Sequence, residues 1–146
     1  MTTHNVSVRP AGPDDASALA ALAAQLGYPS TADDLVRRLA VIDARPHHAV
    51  YVAEFNGVVA GWVHVLMDLH LESGEFAEIA GLVVDEKTRG TGVGLRLLAA
   101  AETWARERNA DVVRVRSNVI RGGAHAFYVH AGYSLRKEQK VFEKRF

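Results

Sequence analysis

Residues 82–95 constrain this chain most. They read as an apolar strand (Leu82, Val83, Val84), a polar turn through Asp85 and Lys87, a glycine-rich corner, and the first turn of a helix. Gly90, Gly92 and Gly94 remove the Cβ atoms that hold a ligand away from the backbone. Arg89 adds a permanent positive charge at the mouth of the corner. The helix that follows points its free N–H groups and the positive end of its dipole at the same spot. Such a corner is an anion site, and a diphosphate is its natural guest.

Two familiar phosphate loops do not match. A Walker loop ends in Gly-Lys-Ser/Thr, and Val93, Gly94 and Leu95 supply none of it. A dinucleotide fingerprint opens a βαβ unit and is followed about 20 residues later by an acidic side chain. Here the glycines follow several earlier strands. The pattern present is Arg-x-x-Gly-x-Gly, formed by Arg89, Gly92 and Gly94. It resembles the acetyl-CoA pyrophosphate loop of the GNAT superfamily of N-acetyltransferases. Residues 118–133 carry a second likeness, in which Ala124, Phe127 and Tyr128 form Ala-x-x-Phe-Tyr on a short helix and Gly132-Tyr133 opens a strand. The two motifs stand in the family's order with a helix and a strand between them, so the resemblance spans nearly the whole chain.

At 146 residues the chain is expected to form one domain, 1–146, with a real core. Seventeen basic residues balance seventeen acidic ones, so no global field favours nucleic acid or an anionic membrane. No apolar run approaches about 18 residues and no signal peptide opens the sequence, which reads as cytoplasmic. The absence of cysteine excludes disulfides, thiolate metal sites and a cysteine acyl-enzyme. Direct attack by an acceptor is then the simpler route for any acyl transfer. The seven histidines form no His-Glu-x-x-His pattern, and His47/His48 and His125/His130 are badly spaced for a shared helical face, so no metal is expected.

Val6 and Val8 suggest a first strand, closed by Pro10 and Gly12-Pro13. Asp14 or Asp15 is expected to cap a helix bearing Leu19, Leu22 and Leu26, and Ser30 or Thr31 a second one striped by Leu35, Val36, Leu39 and Ile42. Strands 49–54 and 58–67 meet at Asn56-Gly57, the strongest short hairpin signal. Further strands are expected over 75–84, 112–116 and 133–146, with helices after the glycine loop to about Asn109 and over 123–131. The sum is an α+β fold with a GNAT-like mixed sheet of six to seven strands, mostly antiparallel around a central splayed parallel pair, flanked by about four helices. In the family the cofactor's pantetheine arm lies between that pair, which puts it beside the backbone of Leu82, Val83 and Val84.

Amine acetylation makes three demands: an amine of pKa about 10 must lose a proton, the oxyanion needs donors, and the departing thiolate needs a proton or hydrogen bond. The resemblance implies Tyr128 as the acid near the cofactor sulfur; simple core packing beside Phe127 is the plainer account. It also implies Glu78 as the base, since Phe76-Ala77-Glu78-Ile79 is similar to a stretch of histone-type members; a solvated strand carboxylate is the alternative. Strand parity puts Glu78 on the face of Ala80 and Leu82, opposite Ile79 and Val83. Backbone N–H groups near Val83 would serve the oxyanion. By the same resemblance the cofactor is held at Leu82, Val83, Val84, Arg89, Gly90, Thr91, Gly92, Val93 and Gly94, with Asn118 and Arg121 as further contacts.

The acceptor is then a primary amine of a small molecule or peptide, expected between residues 26–31 and the 68–75 hairpin. Asp68, Glu72, Glu75 and Glu78 gather acidic charge there, suited to a cationic amine. A non-catalytic acyl-CoA sensor of the same fold is the alternative function. Many members dimerise through their last strands, and Val141, Phe142 and Phe146 are compatible with a homodimer or with a closed monomer core.

Overall fold

The computed structural model describes residues 5–117 and 122–146. Met1–Val115 make one compact unit and Arg116–Phe146 a second. The first holds a sheet ordered β1-β2-β3-β4-β5: β1 (Val6–Pro10), β2 (His48–Phe55), β3 (Val58–His70), β4 (Gly74–Val84) and β5 (Val113–Val115). Every neighbouring pair is antiparallel except β4 and β5, which run parallel. Helices α1 (Ala16–Gln25), α2 (Ala32–Asp43) and α3 (Val93–Glu107) belong to this unit, and α4 (Gly122–His130) to the second.

The expected α+β class and its parallel pair are present, but with five strands among the described residues rather than six or seven. Residues 133–146 take no regular structure, and Leu135, Val141, Phe142 and Phe146 are exposed. A strand exists only where a neighbour completes its ladder of N–H and C=O groups, and local residue pattern alone does not supply one.

Local chemistry explains the element ends. Asn56 and Gly57 both take positive φ, 51° and 84°, as a type I′ turn requires, and Phe55 pairs with Val58 across it. Thr31 caps α2: its hydroxyl accepts from the Asp34 amide while the Asp34 carboxylate accepts from the Thr31 amide, a reciprocal capping box. Asp15 departs from expectation. It precedes α1 but makes no side-chain cap there. Its buried carboxylate accepts instead from the Gly12 amide at 2.8 Å and from both terminal nitrogens of Arg9, at 2.8 and 2.9 Å. That guanidinium holds the Asp15 carboxyl below the usual range despite burial.

The sheet has a helix layer on each face. Leu19 of α1 and Leu39 of α2 pack with Val52, Val50 and Trp62 on one face. On the other, α3 brings Val93 and Leu97 against Gly61, with Leu98, Ala101, Trp104 and Ala105 also buried. Val36, expected in the α2 stripe, is exposed. A Cβ on Gly61 would stand 2.7 Å from the Val83 carbonyl oxygen and 2.9 Å from Leu97 Cδ1. Gly61→Ala is therefore expected to cost about 1–3 kcal/mol through overpacking, read as a lower urea midpoint at unchanged slope.

Two one-residue register shifts decide which side chains share a face. In β2–β3 the pairing changes from Glu54↔Val59 to Ala53↔Gly61, leaving Ala60 extra; in β3–β4 it changes from Val65↔Ile79 to His64↔Gly81, leaving Ala80 extra. Directly paired residues point the same way, so Glu78 (opposite Leu66) shares its face with Gly81 and Val83 (opposite His64 and Trp62). The parity expectation fails here. Leu82 lies on the other face with Ile79, because the extra Ala80 reverses the alternation.

Candidate functional site

The glycine corner is built largely by its own backbone. Asp85 accepts from the Lys87 amide at 3.1 Å and its carbonyl from the Thr88 amide at 2.9 Å, closing a short 3-10 turn over Glu86–Thr88. The Thr91 amide and hydroxyl both donate to the Thr88 carbonyl, so Thr91 shapes the loop from within. The Glu86 amide donates to Gln25 Oε1 at 3.1 Å, tying the loop to the end of α1. Gly92 then stands at the N-cap of α3 with φ 91°, and no side chain caps the helix. The amides of Val93, Gly94 and Leu95 have no intrahelical acceptor at this position. A Cβ on Gly90 or Gly92 would meet nothing within 4 Å. Arg89 is exposed beside them.

Upstream, β5 pairs only with Ala77, Glu78 and Ile79 of β4. Ala80, Leu82, Val83 and Val84 therefore have no β5 ladder partner, and the parallel strands part just where the loop is approached. The expected run of backbone along 82–84 therefore lies beyond the β5 ladder.

On the sheet face beneath α1 and α2 lie two clefts of about 440 and 310 Å³ that share Arg38, Ile42 and His64. The larger opens between Arg45, His48 and α2; the smaller reaches Trp62, Ala80 and Gly81 at the β4 bulge. His48 Nδ1 and His64 Nε2 are 2.9 Å apart with rings stacked. Burial pushes the His64 imidazole down to about 4, helped by His48; burial and then Arg45 lower His48. Both rings are neutral near pH 7. A lowered histidine pKa means that protons bind preferentially to the unfolded chain between about pH 4 and 6.5, so this contribution to stability is lost as the pH falls through that window. His64→Gln is expected to flatten the change in urea midpoint between about pH 7.5 and 5. Asp15 acts at lower pH, below its ordinary 3.8.

Glu78 is half-buried on this same face, opposite Leu66 of β3 and Arg114 of β5. The Arg114 guanidinium lies 4.0 Å over the Phe76 ring. The acidic groove expected at the 68–75 hairpin does not form part of the clefts. Asp68 lies 3.1 Å and Glu72 3.6 Å from the two nitrogens of His70, and no Asp or Glu lines either cleft among the described residues.

In the second unit, α4 carries Phe127 and Tyr128. The Gly132 amide donates to the Val129 carbonyl at 3.1 Å and the Tyr133 amide to the Tyr128 carbonyl at 2.9 Å, a Schellman closure. The Tyr128 ring meets Phe127 and Tyr133 edge to face at 5.2 and 5.9 Å. Burial pushes its phenol up to about 12. Asn118 and Arg121 lie outside the described residues. The histidine pair is the feature that sequence reasoning missed.

Comparison with known proteins agrees with this arrangement. Residues 17–133 match the model of the Acetyltransferase (GNAT) family. The chain is 34% identical over 110 residues to an aminoalkylphosphonate N-acetyltransferase of Salmonella typhimurium, covering 75% of this chain and 69% of that one. It is 31% identical over 138 residues to an aminoglycoside N(6')-acetyltransferase type 1 of Stenotrophomonas maltophilia, covering 91% and 89%. The solved aminoglycoside N-acetyltransferase AAC(6')-Iy, in complex with CoA, has the same fold at a TM-score of 0.88 and 17% identity, over 99% of this chain and 98% of that one.

Proposed function

The chain belongs to the acetyltransferase (GNAT) family, and from that premise we propose that it moves an acetyl group from acetyl-CoA directly to a primary amine of a small molecule or peptide, within a ternary complex. One observation carries the cofactor assignment: α3 starts at a left-handed Gly92 with no capping side chain and open space where a Cβ would stand. A diphosphate fits that corner in charge and in room. In this reading the backbone of residues 90–94 and the Arg89 guanidinium hold the phosphates. The backbone at Leu82, Val83 and Val84 pairs with the amides of the pantetheine arm, and Asn118 and Arg121 add contacts.

Bound acetyl-CoA supplies the activated thioester; the chain supplies position and proton traffic. Glu78, a half-buried carboxylate on the cleft face, takes the amine proton through water. A backbone N–H near Val83 donates to the oxyanion. Tyr128, whose phenol burial keeps protonated, donates to the departing thiolate. The two named relatives act, by name, on an aminoalkylphosphonate and an aminoglycoside; an amine acceptor is common to both.

The test is thermal stability with acetyl-CoA, CoA, ATP and NAD, followed by release of free thiol with a panel of amines. Binding to the native state alone adds about 2.7 kcal/mol at 100 times the dissociation constant. A shift with acetyl-CoA and CoA only, followed by amine-dependent thiol release, supports the reading. No shift at millimolar acetyl-CoA overturns the loop assignment, and a shift without thiol release for any amine leaves a sensor.

A further inference from the structure

The paired clefts under α2 concentrate one sign of charge in a chain whose formal net charge is +0. Arg38, on α2, and Arg45, in the turn that follows α2, both line the larger cleft. Neither forms a salt bridge to a carboxylate among the described residues, although Asp34 acts on Arg38 through space; Arg38 Nη1 donates to Ser30 Oγ at 3.0 Å. Arg37, their neighbour, is already neutralised by Asp34. His48 and His64 form the floor, and the shared Arg38 and His64 lead into the second cleft, which ends at Ala80 and Gly81. Trp62 Nε1, a donor with no acceptor option, lies buried in that second cleft without a hydrogen-bond partner among the described residues. Every charged side chain lining this passage is therefore cationic, and a buried N–H donor waits along it.

Such a lining disfavours a polycation and suits an oxyanion. A polyamine placed here would face guanidinium groups with no carboxylate to neutralise it. An oxyanion would meet two guanidinium forks, each able to donate two parallel hydrogen bonds. The other end of the passage, Ala80 and Gly81, adjoins the strand residues assigned to the pantetheine arm, which is where an amine must arrive.

We infer that the acceptor is an amine carrying an anionic group, a phosphonate, phosphate or carboxylate, which Arg38 and Arg45 receive while the amine reaches Ala80–Gly81. This deepens the acetyltransferase reading and rests on it for the amine, whereas the anion subsite is a property of the clefts alone. It reverses the acceptor charge expected from the acidic residues of the 68–75 hairpin.

The test is calorimetric titration of the full chain, without CoA, at low salt. The probes are 3-aminopropylphosphonate, 4-aminobutyrate, butylamine and the polycation neamine. Binding of one or both anionic amines at least about tenfold tighter than butylamine or neamine is expected, and the stronger of the two identifies the oxyanion. Arg38→Gln/Arg45→Gln is expected to abolish that preference while retaining the wild-type thermal midpoint within about 2 °C, since both side chains are exposed. Equal affinities, a preference for neamine, or a preference that survives the double substitution would overturn the inference. Because CoA is absent, a failed acetyl-CoA shift leaves this result standing, and a failed titration leaves the cofactor result standing.

Discussion

Tyr128→Phe is expected to lower kcat by about 10²- to 10⁴-fold while leaving the KM for acetyl-CoA nearly unchanged. The substitution removes one oxygen and keeps the ring that meets Phe127 and Tyr133. The turn that ends α4 is made by backbone groups, Gly132 to Val129 and Tyr133 to Tyr128, so the helix end does not depend on the hydroxyl. Stability should then change little, and circular dichroism and thermal midpoint check that. The loss would lie in the transition state, where the thiolate develops and needs a donor. The phenol, pushed up to about 12 by burial, remains protonated across any usable assay range. An alkaline fall in kcat between about pH 8 and 10 thus belongs to another group and should persist in the variant. A variant with wild-type kcat would reduce Tyr128 to packing.

The two glycine and aromatic motifs, the Asn56-Gly57 turn and the Thr31 cap were legible because each depends on residues close in sequence. The family resemblance rested on such segments too. What was illegible turned on the register of paired strands. From the Asn56-Gly57 turn alone, Phe55↔Val58 extrapolates to His48 opposite Val65, which puts His64 on the opposite face from His48. The extra Ala60 moves the pairing to His48↔Leu66 and Val50↔His64, and the two imidazoles then meet across the diagonal. Ala80 does the same to Glu78, turning it onto the face of Val83 and the histidines. No local residue pattern announces either bulge, since alanine is neutral there. The lining of the clefts was illegible for a related reason. Asp68 and Glu72 are neighbours in sequence but turn to His70, while Arg38 on α2 and Arg45 in the turn after it reach the cleft through packing that no local pattern reveals.

A paired substitution separates backbone strain from ligand room at the loop. Gly92 and Gly57 have nearly the same positive φ, 91° and 84°, and a Cβ at either would meet nothing within 4 Å. Gly92→Ala and Gly57→Ala should therefore carry similar conformational penalties, about 1–2 kcal/mol for forcing an L residue into the left-handed region. Their effects on catalysis should differ. Gly57 sits in the β2–β3 turn and serves only that hairpin, so its variant is expected to keep the wild-type KM for acetyl-CoA. At Gly92 the empty space beside the Cα is where the diphosphate approaches, and the added methyl pushes it off the first amides of α3. Loss of one hydrogen bond to a charged group, about 1.5–3 kcal/mol, raises that KM by about 10- to 150-fold. Steady-state kinetics and urea unfolding of both variants provide the check. Equal KM changes in the two would mean that strain alone is felt at the site and that the corner holds no phosphate. A selective rise at Gly92 with matched stability losses assigns the open side of the corner to the ligand, because the same backbone strain at Gly57 leaves the KM unchanged.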